Sequence, residues 1–145
     1  MKTVFTILLS IMLALPTTPT QDNGYELTVQ VEGIRNRNGY IAIGLFDRHG
    51  DFPEGDGLQS KYVEVKGSSV EVVFKGLKEG EYAIAVMHDE NGNEEMDYAQ
   101  NGMPKEGYGF SLNAEGEMGP PSFGEASFKL TQNTVQSIDL IYLLR

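Results

Sequence analysis

The stretch EYAIAVM, residues 81–87, is apolar on both faces of an extended chain. Its side chains alternate between two sets, Tyr82, Ile84 and Val86 on one face and Ala83, Ala85 and Met87 on the other. A strand that leaves one face in solvent alternates apolar and polar residues, whereas a strand covered on both faces is apolar throughout. The sequence therefore predicts a central strand at residues 81–87.

Six further runs have the apolar or period-two pattern of strands and are separated by turn signals: 25–31, 40–46, 62–65, 70–74, 126–130 and 135–143. The pair Asn38-Gly39 favours a tight hairpin, which predicts that the first two of these strands are antiparallel neighbours. No segment has helical periodicity. The pattern predicts an all-β fold, an antiparallel β-sandwich of about seven strands (immunoglobulin/transthyretin-like) with one long ordered loop.

The N-terminal segment has the pattern of a secretory signal. Lys2 precedes the apolar run VFTILLSIMLAL, residues 4–15, and small residues suited to cleavage follow it. We therefore predict a signal peptide at residues 1–20 and a single β-sandwich domain at residues 21–145. An exported protein, periplasmic, cell-surface or secreted, is expected. No later run approaches the roughly 20 apolar residues of a membrane span.

Composition narrows the partners further. The formal net charge of -10 disfavours nucleic acid and anionic membrane surfaces and favours cations, although solubility of an exported protein alone is the simpler explanation of the charge. The chain has no cysteine, which excludes thiolate catalysis and thiolate metal sites. Its stability must come from its core and from any ion that it binds.

A segment of 37 residues, 88–124, separates the central strand from the last two strands and has no clear strand or helix pattern. Structureless loops longer than about 15 residues are commonly functional or disordered. This segment, which we call the excursion, contains four aromatic residues and three methionines, which can anchor it on the sandwich. We expect it to be ordered.

The excursion begins with HDENGNEEMD, residues 88–97, which has the spacing of a calcium loop. Oxygen ligands recur at alternate positions, and the candidate metal ligands are Asp89, Asn91, Asn93, Glu95 through its backbone carbonyl, and Asp97. An EF-hand is excluded because Glu94 and Gln100 replace its Gly and its final Glu. Glu94 lies at the sharp turn, where glycine is preferred, and is expected to be strained. The alternative is an acidic turn without a cation, because Asp and Asn are common turn formers.

Three motifs, taken in combination, resemble those of a known family: HDENGN at residues 88–93, GMPKEGYGFS at 102–111 and GPPSF at 119–123. In these motifs, and over nearly the whole chain from about Leu27, the protein resembles the bacterial exported protein family named domain of unknown function 2141. The resemblance implies a sandwich-like fold and no particular activity. The chain departs from the family's pattern at Glu94, where glycine is usual.

The resemblance also draws attention to Glu106, Tyr108, Phe110 and Phe123. The aromatic rings either anchor the excursion or face a ligand, and anchoring is the more common role of large aromatic side chains. Glu106 is a candidate source of one more carboxylate oxygen for a ligand. His88 is a candidate for the same site, although a strand-end histidine that bonds to nearby backbone is the simpler interpretation.

Three functions are consistent with these features. The first is an exported, non-enzymatic binding or accessory domain with calcium in its loop and a cell-surface or periplasmic protein or glycan as partner. The second is a carbohydrate-binding module, in which Tyr98, Tyr108 and Phe110 stack on sugar rings. The third is a small hydrolase that uses loop carboxylates. No serine elbow or zinc motif supports the third hypothesis.

Overall fold

The computed structural model describes residues 24–48 and 50–145. In chain order they form eight strands and two short helical turns: β1 Tyr25–Glu32, β2 Tyr40–Asp47, β3 Gln59–Glu64, β4 Val70–Leu77, β5 Gly80–Asp89, β6 Gly107–Phe110, a 3₁₀ turn Ser111–Asn113, α1 Phe123–Ala126, β7 Phe128–Leu130 and β8 Thr134–Asp139. The predicted signal peptide, residues 1–20, lies outside the described residues. Within them, no helix is long and apolar enough to cross a membrane.

The strands form two sheets. One has the order β4-β1-β8, and the other has the order β3-β2-β5-β6, with β7 also paired to β5. The predicted all-β sandwich is confirmed. The prediction that residues 81–87 form a central strand is also correct, because β5 pairs with β2 on one edge and with β6 and β7 on the other.

The predicted pairing of the first two strands is wrong. β1 pairs with β4 and, in parallel, with β8, whereas β2 pairs with β3 and β5 in the other sheet. The seven residues between them carry the chain from one sheet to the other, with positive φ at Gly33 and Gly39. A Cβ at Gly39 would lie 1.9 Å from the backbone oxygen of Asp89, so glycine is required there for close approach to β5.

The main core lies between the sheets and is built from the inward residues of alternating strands. β1 supplies Leu27, Val29 and Val31, β2 supplies Ile41, Ile43 and Leu45, and β5 supplies Ile84 and Val86. These eight side chains are at most 3% exposed, as a sandwich core requires.

A second apolar cluster covers the outer face of the five-stranded sheet. Ala83 of β5 packs there with Phe110 and Ala126, and three aromatic rings lie against them: Phe52, Tyr108 and Phe123. The excursion supplies half of this cluster, and the cluster covers the second face of β5, which explains why β5 is apolar on both faces. The excursion is ordered, as expected, but it is not structureless, since it contains β6, the 3₁₀ turn and the first half of α1.

Candidate functional site

The first part of the excursion, residues 89–97, is a closed turn built around the carboxylate of Asp89; we call it the acidic loop. Asp89 is fully buried at the end of β5. Its Oδ1 accepts hydrogen bonds from the backbone N–H groups of Gly92, at 2.8 Å, and Asn93, at 3.2 Å. Its Oδ2 accepts from the N–H of Glu94 at 2.8 Å and from the hydroxyl of Tyr62 at 2.5 Å. The carboxylate therefore organises the loop in the manner of an Asx turn.

These hydrogen bonds shift the pKa values of Asp89 and Tyr62. Burial alone would raise the pKa of Asp89, but the hydrogen bonds from Tyr62 and from the three backbone N–H groups outweigh burial and lower it. Burial and the bond to Asp89 together raise the pKa of Tyr62. Asp89 therefore stays ionised and Tyr62 stays protonated at neutral pH.

The remaining polar side chains of the loop converge on Asp97. Asn91 donates from Nδ2 to Oδ2 of Asp97 at 2.6 Å, and Asn93 donates from Nδ2 to both carboxylate oxygens at 3.3 Å. Glu94 has φ of 63°, which confirms that a non-glycine residue occupies the sharp turn in a left-handed conformation. The spacing thus brings three of the predicted metal ligands into mutual contact.

These side chains meet the requirements of a cation only in part. Both amides present nitrogen to Asp97, while their oxygens accept from the backbone N–H groups of Asn93 and Glu95. A calcium ion needs oxygen donors, so the two amides would have to turn. Among residues 24–48 and 50–145, no group of three or more His, Cys, Asp or Glu side chains is placed to hold a metal.

Glu106 joins the two ends of the acidic loop. Its Oε1 accepts from the backbone N–H of Glu90 at 3.0 Å, and its Oε2 accepts from that of Asp97 at 3.2 Å. Glu106 is only 4% exposed, and this burial raises its pKa against the opposing effect of the two hydrogen bonds. Both carboxylate oxygens of Glu106 therefore bind backbone N–H groups of the acidic loop, and the side chain is buried from solvent.

His88 is also engaged in the protein interior. It is fully buried, with Nδ1 2.7 Å from the hydroxyl of Tyr142 and Nε2 2.8 Å from the carbonyl oxygen of Asn38. The carbonyl can only accept, so Nε2 carries a proton, and in the neutral imidazole Nδ1 accepts from the hydroxyl of Tyr142. Arg35 lies over the Tyr142 ring and pairs with Glu90 at 2.6 Å, which ties the C-terminal segment to the end of β5.

Ser111 connects the far end of β6 to the central strand. β6 and β7 lie end to end along the same edge of β5, and Ile84 falls in the gap between them. The hydroxyl of Ser111 accepts from the N–H of Ile84 at 2.9 Å and donates to the carbonyl of Ala126 at 2.6 Å. One side chain thus replaces the missing strand partner.

A groove of about 1150 Å³ opens on the outer face of the five-stranded sheet, beside the second apolar cluster. Small and flexible side chains line it along β2 and β5: Ala42, Gly44, Ala85 and Met87. Three tyrosines, Tyr62, Tyr98 and Tyr108, also line it, and we call it the tyrosine groove. The acidic loop forms part of its wall through Glu94 and Glu95.

Of the predicted aromatic residues, Tyr98 lies in this groove, Phe123 lies in the second apolar cluster, and Tyr108 and Phe110 belong to both. Tyr98 is 60% exposed and Tyr108 is half-buried, whereas Phe110 is 8% exposed and touches Phe52 edge-on. Phe123 also packs edge-on against Phe52, and so holds α1 on the sheet.

Sequence reasoning missed Tyr62 as a site residue, although it is 40% exposed in the groove. It lies on β3, 27 positions before Asp89, and only the pairing of β3 with β2 and of β2 with β5 brings the two together. The sequence signal that could have identified Tyr62 is a large aromatic residue in a polar edge strand, because such a strand offers no core in which to bury the ring.

These features define the protein as an all-β sandwich domain with a wide groove on one sheet. The chain belongs to the family described as "Uncharacterized protein conserved in bacteria (DUF2141)", whose profile matches residues 29–138. This membership confirms the resemblance seen in the sequence motifs. Comparison with curated proteins and with solved structures gave no match to this chain.

Proposed function

We propose that this protein is an exported, non-enzymatic binding domain that holds its ligand in the tyrosine groove. The observation that carries the proposal is the groove itself, a concave surface with an apolar floor and polar groups at its margin, as ligand sites commonly have. Residues of β2, β3, β5 and β6 line it, so paired strands support the floor. A rigid floor lowers the entropy lost on binding.

The contacts of three candidate site residues with acid–base side chains, His88, Asp89 and Glu106, support a non-enzymatic role. His88 has a partner at both ring nitrogens, and Asp89 and Glu106 have partners at both carboxylate oxygens. All three side chains are at most 4% exposed. A general acid or base has to reach a proton of the substrate, and these three groups face the protein interior.

A neutral apolar dye such as Nile red tests whether the groove takes a ligand. We expect the dye to bind wild type with a rise in fluorescence and Ala42→Phe to weaken that binding at least about tenfold, because a ring at this half-buried position fills the floor. Val135→Phe is the matched control, since it adds the same ring at an exposed position on β8, outside the groove. Equal binding by the two variants, or no binding by wild type, would overturn the proposal.

Carbohydrate is a second candidate ligand, because Tyr62 and Tyr98 expose ring surface in the groove. Sugar rings stack on such aromatic faces. Glycan arrays with wild type and Tyr98→Ala test this candidate. If carbohydrate is the ligand, at least one polysaccharide binds the wild type and binds Tyr98→Ala more weakly. No binding to any glycan on the array would rule this candidate out.

Calcium in the acidic loop is a further proposal. It is supported by the convergence of Asn91 and Asn93 on Asp97 and by the left-handed turn at Glu94. At ten times its dissociation constant, calcium would stabilise the folded state by about 1.4 kcal/mol. Thermal unfolding of wild type and Asp97→Ala, in about 5 mM calcium and in chelator, tests it. Only wild type should gain stability, and no gain would favour an acidic turn without a cation.

A further inference from the structure

The margin of the tyrosine groove carries an excess of acidic side chains. Five of its lining residues are acidic and exposed, and they are Glu54, Asp56, Glu94, Glu95 and Glu117. Among the lining residues that the structure describes, Lys61 is the only basic one. In the part of the chain that the structure describes, no ion pair involves any of these five acids.

Four acidic residues outside the groove have a basic partner. Glu26, Glu64 and Glu81 each lie within 4 Å of a lysine or arginine, and Glu90 pairs with Arg35. The groove acids come from three separate segments, the β2–β3 loop, the acidic loop and residues 116–120. Folding therefore gathers like charges around one opening, where they repel one another unless a cation lies between them.

The interior of the groove is apolar and adaptable. All four methionines of the described residues line it: Met87, Met96, Met103 and Met118. Met118 is fully exposed and the other three are half-buried. Thioether side chains are flexible and polarisable, and they fit apolar groups of varied shape.

We propose that the ligand of the tyrosine groove is a cationic amphipathic polypeptide segment, with lysine or arginine side chains at the acidic margin and apolar side chains on the floor. This inference rests on the proposed function and names the ligand class. Charge complementarity selects a cationic ligand, and the methionine and tyrosine lining selects one with an apolar face. The volume of about 1150 Å³ exceeds the roughly 300–1,000 Å³ of small-molecule pockets and fits a chain segment.

The absence of tryptophan from the chain makes a direct test possible. A synthetic amphipathic peptide of leucine and lysine, with one tryptophan as reporter, gives a fluorescence signal that the protein does not share. Two matched peptides serve as controls. One has glutamate in place of every lysine, and the other has serine in place of every leucine.

We expect the leucine–lysine peptide to bind wild type at least about tenfold more tightly than either control peptide. Affinity should fall as salt is raised, because exposed charges are screened. The triple variant Glu94→Gln, Glu95→Gln, Glu117→Gln should weaken binding about tenfold. A second triple variant, Glu32→Gln, Glu79→Gln, Asp139→Asn, removes the same charge from exposed positions outside the groove and should bind like wild type.

Three results would overturn the inference: equal binding of all three peptides, no binding of the leucine–lysine peptide, or equal weakening by the two triple variants. The dye experiment separates this failure from a failure of the proposed function. If Nile red binds and Ala42→Phe abolishes its binding while the cationic peptide stays free, the groove is a binding site for another class of ligand.

Discussion

The hydroxyl of Tyr62 donates a hydrogen bond of 2.5 Å to Oδ2 of Asp89, and this bond joins edge strand β3 to the end of central strand β5. We predict that Tyr62→Phe lowers the free energy of unfolding by about 1–2 kcal/mol, because Oδ2 keeps only the N–H of Glu94 as partner. Urea unfolding followed by circular dichroism measures the change.

Tyr98→Phe is the matched control for this substitution. Tyr98 is 60% exposed, and a surface hydroxyl of this kind contributes within about 0.5 kcal/mol. Equal stability of the two variants would mean that the Tyr62 hydroxyl does not support the loop. A selective loss in Tyr62→Phe would show that the hydroxyl of Tyr62 supports the acidic loop.

Substitution of Asp89 should have a larger effect. We predict that Asp89→Asn lowers the free energy of unfolding by about 3 kcal/mol, because the amide nitrogen would replace one oxygen that accepts backbone N–H bonds in a buried site. Equilibrium unfolding in urea at neutral pH gives the value. Asp51→Asn, at an exposed position, is the control and should change stability by less than about 0.5 kcal/mol.

The acid dependence of stability follows from the same contacts. The pKa values of Asp89 and Glu90 are lowered, the latter because the bond to Arg35 outweighs burial. Their stabilisation is therefore complete above the unfolded-state values of about 4 and is lost as the pH falls through the folded-state values. The raised pKa of Glu106 acts with the opposite sign, since its stabilisation is lost as the pH rises through the folded-state value.

We therefore predict that wild type loses stability steeply below about pH 4 and that Asp89→Asn loses less over the same range. Unfolding free energies measured at a series of pH values from neutral to acid test this prediction. Parallel curves for the two proteins would contradict it, because they would assign the acid sensitivity to other carboxylates.

Local periodicity predicted the strands well because burial on one or both faces leaves a direct mark on the sequence, as at residues 81–87. Pairing was not predictable in the same way. Asn38-Gly39 has the composition of a hairpin turn, but here the glycine is required by close approach to Asp89 in a connection between sheets. The same dipeptide suits a hairpin turn and a connection between sheets, so only the long-range packing distinguishes the two structures.

The candidate site was predictable only where its residues are local. Asn91, Asn93 and Asp97, which the spacing of the acidic loop marked, lie in hydrogen-bond contact, and Glu94 has a positive φ. The groove depends on residues far apart in the chain, including Tyr62 and Ala42, which no local pattern connects. The turn α1 did leave a local signal, since Ser122 and Glu125 form a capping box.

Substitution of Ser111 tests whether its side chain stabilises β5 at the gap between β6 and β7. We predict that Ser111→Ala lowers the free energy of unfolding by about 3 kcal/mol, because the N–H of Ile84 and the carbonyl of Ala126 both lose a partner at fully buried positions. Ser137→Ala, at an exposed position on β8, is the control. Native-state hydrogen exchange at Ile84 should also accelerate, and an unchanged rate would assign this amide another partner.

Gly107 on β6 faces the ring of Tyr142, and a Cβ there would lie 2.3 Å from the ring carbon Cε1. The ring cannot move freely, because its hydroxyl bonds to His88 and Arg35 lies over its face. We predict that Gly107→Ala lowers the free energy of unfolding by about 2 kcal/mol through overpacking and shifts the imidazole resonances of His88 in NMR spectra. Gly124→Ala, where a Cβ meets open space, should change neither quantity by more than experimental scatter. Loss of stability without a shift at His88 would place the strain in the backbone of β6, whereas both changes together would show that Gly107 is needed for the contact between Tyr142 and His88.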